Sequence, residues 1–371
     1  MLAQVGQLEA SAEILADIAA ASKDPGDRAS TFSALASLAL ERGNSQDARS
    51  YAERALSSAL AADDNMLARC EADSVFGELA LRQGGAGAAS QIFRRVAARL
   101  RTMLYGPAHE RVTEALSRTL ILLSVSQSAA GRFGDGSTTI EEAEIRLADL
   151  PHSSSLLKLE ARVHKAAVAH FLSDDFDRAE AELRACYAVA TSNGFTLNAL
   201  NIAVYLATFY RLRGASQLAL DLMESQVAVC ERISVSRTKA TFYASYATLL
   251  SAVGQTMPAT KMVEEAMKLT PAGPDLEGQL RLVAARTSIA RNLPRDAIDA
   301  SATAKVLFAK LGRTGLVGVC LHMRSLALIT LGLRREAVKA AREAVDALAM
   351  GHPRARSLAT ETLASLRSSE P

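Results

Sequence analysis

The chain has 371 residues, 49% of them apolar, with 42 basic against 40 acidic side chains. That near-balance excludes a global field drawing it to nucleic acid or anionic membrane. Aromatics are 5%, tryptophan is absent and prolines number nine, so helix is favoured over strand and an all-α protein is expected.

The N-terminal stretch MLAQVGQLEASAEILADIAAAS holds Glu9, Glu13 and Asp17 and no early Lys or Arg, which is wrong for a signal peptide. The longest apolar runs, such as TLILLSV (119–125), fall far short of a membrane span. Cys70, Cys186, Cys230 and Cys320 lie far apart with no C-x-x-C pair. They read as small buried hydrophobes in a reducing compartment, and a soluble cytoplasmic protein is expected.

In chain order, GQLEASAEIL (6–15) opens with the layout that later marks the second helix of a hairpin, a glycine with a small residue five places on. The same layout returns eight times, each time with a first helix before it. The small residue near the middle of each first helix is Ala36, Gly77, Ser124, Ala167, Ala207, Ala247, Ala285 or Ser325. A turn residue follows at Gly43, Gly84, Gly131, Asp174, Gly214, Gly254, Asn292 or Gly332. The small residue of the second helix is then Ala48, Ala89, Gly136, Ala179, Ala219, Ala259, Ala297 or Ala337.

Turn residues of these types tolerate the left-handed conformation that ends a helix. Facing small residues let two antiparallel helices approach closely. A last helix, SLATETLASLRSSEP (357–371), carries Thr360, Glu361, Thr362 and Arg367 and can close the stack. Each hairpin cannot bury its apolar face alone and must stack on its neighbours, so residues 1–371 are expected to form a single solenoid domain. Gly136 inside a helix and the junction DLPHSSSLLK (149–158) suggest a flexible place near 131–156.

The sixth unit, TFYASYATLLSAVGQTMPATKMVEEAMKLTP, has Ala247, Gly254, Ala259, Ala266 and Pro271 in the places of a tetratricopeptide repeat (TPR), and the chain resembles that family over nearly its whole length. It departs in lacking the tryptophan of the first helix and in a period near 40 residues, against 34 in the commonest form. The longer period is similar to that of kinesin-light-chain repeats, as is LYGPAHERV (104–112), and to that of the sensor domain of large maltose-regulon-type bacterial transcription activators. The resemblance implies a right-handed α-solenoid of about eight hairpins, with a leading half repeat and a capping helix. It also implies a concave face lined by positions 2, 5, 9 and 12 of each first helix. In the fourth unit these are Ala161, His164, Val168 and Phe171.

On that face acids occur only in the early units, at Glu71 and Glu78. Arg118, His164, Asn201, Thr208, Arg211, Gln279, Arg286 and His322 supply donors further along. Such a groove suits a protein segment, an acidic peptide above all, or a small anionic or polyhydroxy effector. No G-x-S-x-G, H-E-x-x-H or G-x-x-x-x-G-K-[ST] occurs, and the six histidines have no metal-ligand spacing. GRFGDG (131–136) falls in a helix-to-helix turn, and the arginines of FRRVAARLR (93–101) read as cover for an outer helix face.

No catalysis, cofactor, metal or direct nucleic-acid contact is therefore expected. The expected role is the sensor or regulatory part of a bacterial signalling or transcription regulator; the alternative is a free-standing TPR scaffold for a protein complex. Ser11, Ile14, Leu15 and Ile18 are expected to face partly toward a helix the chain does not contain, which suggests the C-terminal part of a longer protein, or pairing of two chains through that end.

Overall fold

The computed structural model describes residues 8–62, 65–106, 109–148, 150, 155–172, 176–269, 273–348 and 353–368, the side chains of 170–172, 176, 353 and 354 excepted. Gly6, Asp174 and Pro271, the side chain of Phe171 and residues 149 and 151–154 of the 149–158 junction lie outside the described residues.

Among the described residues there are eighteen helices and no strand. They are α1 (Leu8–Ala21), α2 (Pro25–Glu41), α3 (Ser45–Ala61), α4 (Met66–Arg82), α5 (Ala86–Thr102), α6 (His109–Ala129), α7 (Phe133–Ala148), α8 (Ser155–Leu172) and α9 (Phe176–Ser192). Then follow α10 (Thr196–Leu212), α11 (Ser216–Arg232), α12 (Ser236–Ala252), α13 (Thr256–Lys268), α14 (Pro274–Ala290), α15 (Pro294–Lys310), α16 (Thr314–Thr330), α17 (Arg334–Ala347) and α18 (Pro353–Ser368). A lone helix, eight hairpins and a closing helix match the order read from the sequence.

The hairpin turns follow from backbone conformation. Gly43 has φ 79°, which ends α2 and lets Asn44 N–H reach back to Ala39 C=O at 2.9 Å. This six-to-one closure recurs at Gly85 to Ala80 and at Arg132 to Gln127, each 2.8 Å. Asn292 is the one non-glycine with positive φ, 58°, among the described residues, and Leu293 closes the same loop onto Ser288 at 2.8 Å. Asparagine tolerates that region better than most side chains do. Starts are fixed as well: Asn44 and Asn65 cap α3 and α4 by accepting from Asp47 N–H (3.0 Å) and Ala68 N–H (3.1 Å).

The helices pack as two compact units, one of residues up to 213 together with 221–239, the other of 214–220 with 240–371. In the first, the small pairs Ala36/Ala48, Gly77/Ala89 and Ser124/Gly136 are buried. Around them Leu100, Leu116, Leu120, Ile140 and Leu147 form one continuous core through α5, α6 and α7. Each such side chain contributes roughly 1.5–3 kcal/mol on burial. Gly136 is required by this contact, since a Cβ there would stand 2.7 Å from Ser128 Oγ and 3.3 Å from Ser124 C=O. In the second unit Ala247 meets Val263 and Val283, and Phe308 sits in a core with Leu282, Cys320 and Leu348.

At the N-terminal side Leu15 is half-buried beside Phe32 and Leu35, while Ile14 and Ile18 stay 51% and 46% exposed. Among the described residues the apolar face of α1 is thus covered by α2 along one side. In α18 Ala359 and Leu363 are buried and Thr360, Glu361 and Arg367 are exposed, the pattern of a closing helix. Burial raises the four thiols, Cys70 and Cys186 to about 11 and Cys230 and Cys320 to about 12, so none is a reactive thiolate. Among the described residues no helix is long and apolar enough to cross a membrane.

Candidate functional site

The first helices of neighbouring hairpins in the first unit touch through their inner positions. Ser30 Oγ on α2 donates to Glu71 Oε2 on α4 at 2.8 Å. Further along the same two helices Arg82 pairs with Glu41 and donates to Leu40 C=O at 3.4 Å. Glu78, one helical turn before Arg82, is half-buried among these charges.

Arg118 on α6 is exposed, and among the described residues no carboxylate lies within ion-pairing distance of it. Its guanidinium is nevertheless felt by two acids. Burial pushes the Glu78 carboxyl above the usual range, Arg82 and Arg118 pull it back, and Glu41 and Glu160 add to the rise. Burial likewise raises Glu160 on α8, against Arg118 and a hydrogen bond from Asn198 on α10. Five helices, α2 to α10 by twos, therefore place Glu41, Glu78, Arg82, Arg118, Glu160 and Asn198 in one field.

Glu160 lies beyond the early units to which the sequence reading confined the acids, and a register difference explains it. In the fourth hairpin Ala161 (0% exposed) and Val168 (2%) are buried, and the burial pattern of α8 runs one residue earlier than the alignment on Ala167, with Ala166 buried at the close contact and Glu160 at the inward position. Ala161 and Val168 thus belong to the core rather than the groove. The alternation of buried positions, not the presence of small residues, carries the correct register here.

The remaining predicted residues fall in different environments. Asn201 is exposed on α10, Thr208 Oγ1 is spent on Val204 C=O of its own helix at 2.9 Å, and Arg211 is half-buried and already partnered. In the second unit Gln279 is exposed and donates to Asp275 Oδ2 at 3.2 Å, and Arg286 is half-buried and partnered. His322 is buried, its Nε2 3.1 Å from Thr362 Oγ1 of α18, so the closing helix covers it. Burial and the Arg286 charge lower its pKa.

His164 serves the packing of the third and fourth hairpins. Ser124 Oγ donates to Gly136 C=O at 2.6 Å, which leaves its lone pair to accept from His164 Nε2 at 2.9 Å. Burial holds this imidazole neutral, with its pKa lowered to about 4. A group whose folded pKa is depressed stabilises above its unfolded value and loses that contribution as pH falls through the folded one. Wild type should therefore lose roughly 2–3 kcal/mol relative to His164→Gln between pH 6.5 and 4, the paired difference cancelling the carboxylates. Parallel unfolding curves for the two proteins across that range would remove the bond from the account.

Among the described residues no three His, Cys, Asp or Glu side chains come together as a metal ion would need.

No family model and no curated protein matches the sequence. Solved structures do. The Rap protein complexed with competence and sporulation factor is 9% identical, covers 92% of this chain and 98% of its own, and superposes with a TM-score of 0.60. The apo form of the quorum sensor NprR from B. thuringiensis is 14% identical over 91% of this chain and 97% of its own, at 0.48. A STAND protein with a tetratricopeptide repeat sensor from Pyrococcus horikoshii is 14% identical over 87% of this chain, at 0.49, and the chain spans 50% of its length. The last two superpose too loosely to add to the argument. At 9% identity the likeness to Rap is one of fold: the chain is an all-α solenoid of TPR-type hairpins.

Proposed function

We propose that the chain is a non-catalytic recognition module, the regulatory part of a bacterial signalling or transcription regulator, whose first unit binds a protein segment across the inner faces of α4, α6, α8 and α10. The observation that carries this reading is Arg118, exposed and without an ion-pair partner within reach among the described residues, between the half-buried acids Glu78 and Glu160. Arg118 offers a carboxylate a charge-assisted contact, and the two acids offer one to a lysine, an arginine or an amino terminus. A segment carrying both signs fits this face better than a purely acidic one. The Rap complex with its factor supports the reading at the level of fold, since the same hairpin architecture there accommodates a bound partner.

Panning a displayed library of random twelve-residue peptides on the full chain tests it. Enriched peptides should hold an acid and a base within a few residues of each other, and Arg118→Glu should weaken their binding at least tenfold. No enrichment, or enriched peptides indifferent to Arg118→Glu, would overturn the assignment.

A further inference from the structure

The hairpin turns of the second unit carry a surface that the groove face of the first unit does not use. In the first two hairpins the chain turns through Gly43-Asn44-Ser45 and Gly84-Gly85-Ala86, which present no large apolar group. The sixth, seventh and eighth hairpins instead expose Met257 (65%), Leu293 (37%), Leu331 (37%) and Leu333 (44%), with Ile329 (39%) beside them. Successive first helices of a stack lie side by side, so these turns form one edge. Arg291 Nη1 reaches Thr260 Oγ1 at 3.5 Å and ties the seventh turn to the start of α13.

Bases are interleaved with the aliphatics. Arg291, Arg295 and Arg335 are exposed along this edge, and no ion pair is present at Arg295 or Arg335 among the described residues. Asp296 and Glu336 are the acids beside them. The edge then runs into an open depression of about 620 Å³ whose wall includes Leu326, Ile329 and Gly332 on one side and Thr362 and Leu366 of α18 on the other.

We infer that this turn edge of the second unit is a docking strip for an acidic amphipathic helix of a partner protein. Large aliphatics at three consecutive turns give such a helix its apolar contacts, and the flanking arginines select acids on its polar margin. The depression distinguishes a protein from a bilayer, because a partner side chain can enter a concavity that a flat headgroup layer cannot follow. A second copy of the chain is disfavoured, since two-fold pairing of this strip would bring the arginines of one copy, Arg291, Arg295 and Arg335, over the same basic strip of the other.

The strip is separate from the groove face of the first unit and is tested separately. The full chain is used to pan a displayed library of eighteen-residue peptides with leucine fixed at i, i+3, i+7, i+10 and i+14 and all other positions random. The result expected is enrichment of Asp and Glu beside the leucine stripe. Leu293→Glu with Leu333→Glu, and independently Arg295→Glu with Arg335→Glu, should each weaken the selected peptide at least tenfold while Arg118→Glu leaves it bound. All four positions are exposed, so unchanged melting temperatures verify that the variants fold. Four results would overturn the proposal: no enrichment, enriched peptides that are basic or ignore both double variants, sedimentation of the chain with phosphatidylserine vesicles through this edge, or self-association abolished by the leucine variants.

Discussion

Gly77→Leu should destabilise the first unit by about 3 kcal/mol or more, the largest effect expected of any single substitution in its core. Gly77 stands at the close approach of α4 and α5, where an added Cβ would lie 2.6 Å from Phe93 Cε1 and 2.7 Å from Cζ. Phe93 is fully buried and packed against Leu123 of the next hairpin, so its ring cannot swing toward water. Gly77→Ala already creates that contact, and the gain in helix propensity, about 1 kcal/mol, offsets only part of it. A control lies in the next helix: Gly87 has nothing within 4 Å of its Cβ position, and Gly87→Ala should be neutral or stabilise by up to about 1 kcal/mol. Urea unfolding of the three variants reads the difference, and a Gly77→Leu protein as stable as wild type would mean that α4 and α5 do not meet in this register.

That contact was legible in the sequence because close helix approach leaves few choices. Only a small residue fits at the close contact, glycine at Gly77 and serine or alanine at Ser124 or Ala285, and the turn that follows needs positive φ, which selects Gly84, Gly131 or Asn292. Two such requirements a fixed distance apart define a hairpin without reference to anything else. The groove was less legible, for reasons that can be named. In α8 the alanines at 161, 166, 167 and 169 supply small residues at nearly every candidate place, so smallness does not determine the register, and an alignment on Ala167 leaves Glu160 out of the groove. At His322 the inward position was read from its own hairpin, whereas the environment is set by α18, forty residues later, whose Thr362 meets the ring. On α1 the spacing places Ile14, Leu15 and Ile18 on one uncovered face, but Leu15 packs beside Phe32 and Leu35 of α2 and only Ile14 and Ile18 of these three stay outward. What a spacing argument supplies is the face. Which neighbour covers it depends on packing between units of the repeat.

Arg118→Met should leave the fold intact at low pH and weaken it progressively as pH rises, by about 1 kcal/mol at neutrality for each carboxylate whose pKa climbs one further unit. The sign follows from the directions of the two acids. Glu78 and Glu160 already titrate above the ordinary glutamate value in the folded chain, so their contribution to stability is full below the unfolded pKa and is lost as pH rises through the folded one. Arg118 opposes that loss at both residues, since its charge favours their ionised forms. Without it the folded values climb again, and the cost of holding two half-buried carboxylates charged near neutrality grows. Arg118→Glu adds a like charge and should do more, while also removing the cation proposed to meet an anionic group of a bound segment. Carboxylate titrations followed by NMR would show the upward movement directly, in the absence of any ligand. The melting-temperature gap between wild type and Arg118→Met should be smallest near pH 4 and widen toward pH 7. A gap that is constant with pH would mean that Arg118 supports the helices by packing alone, and a variant whose Glu78 and Glu160 titrate as in wild type would dissolve the shared field on which the groove assignment rests.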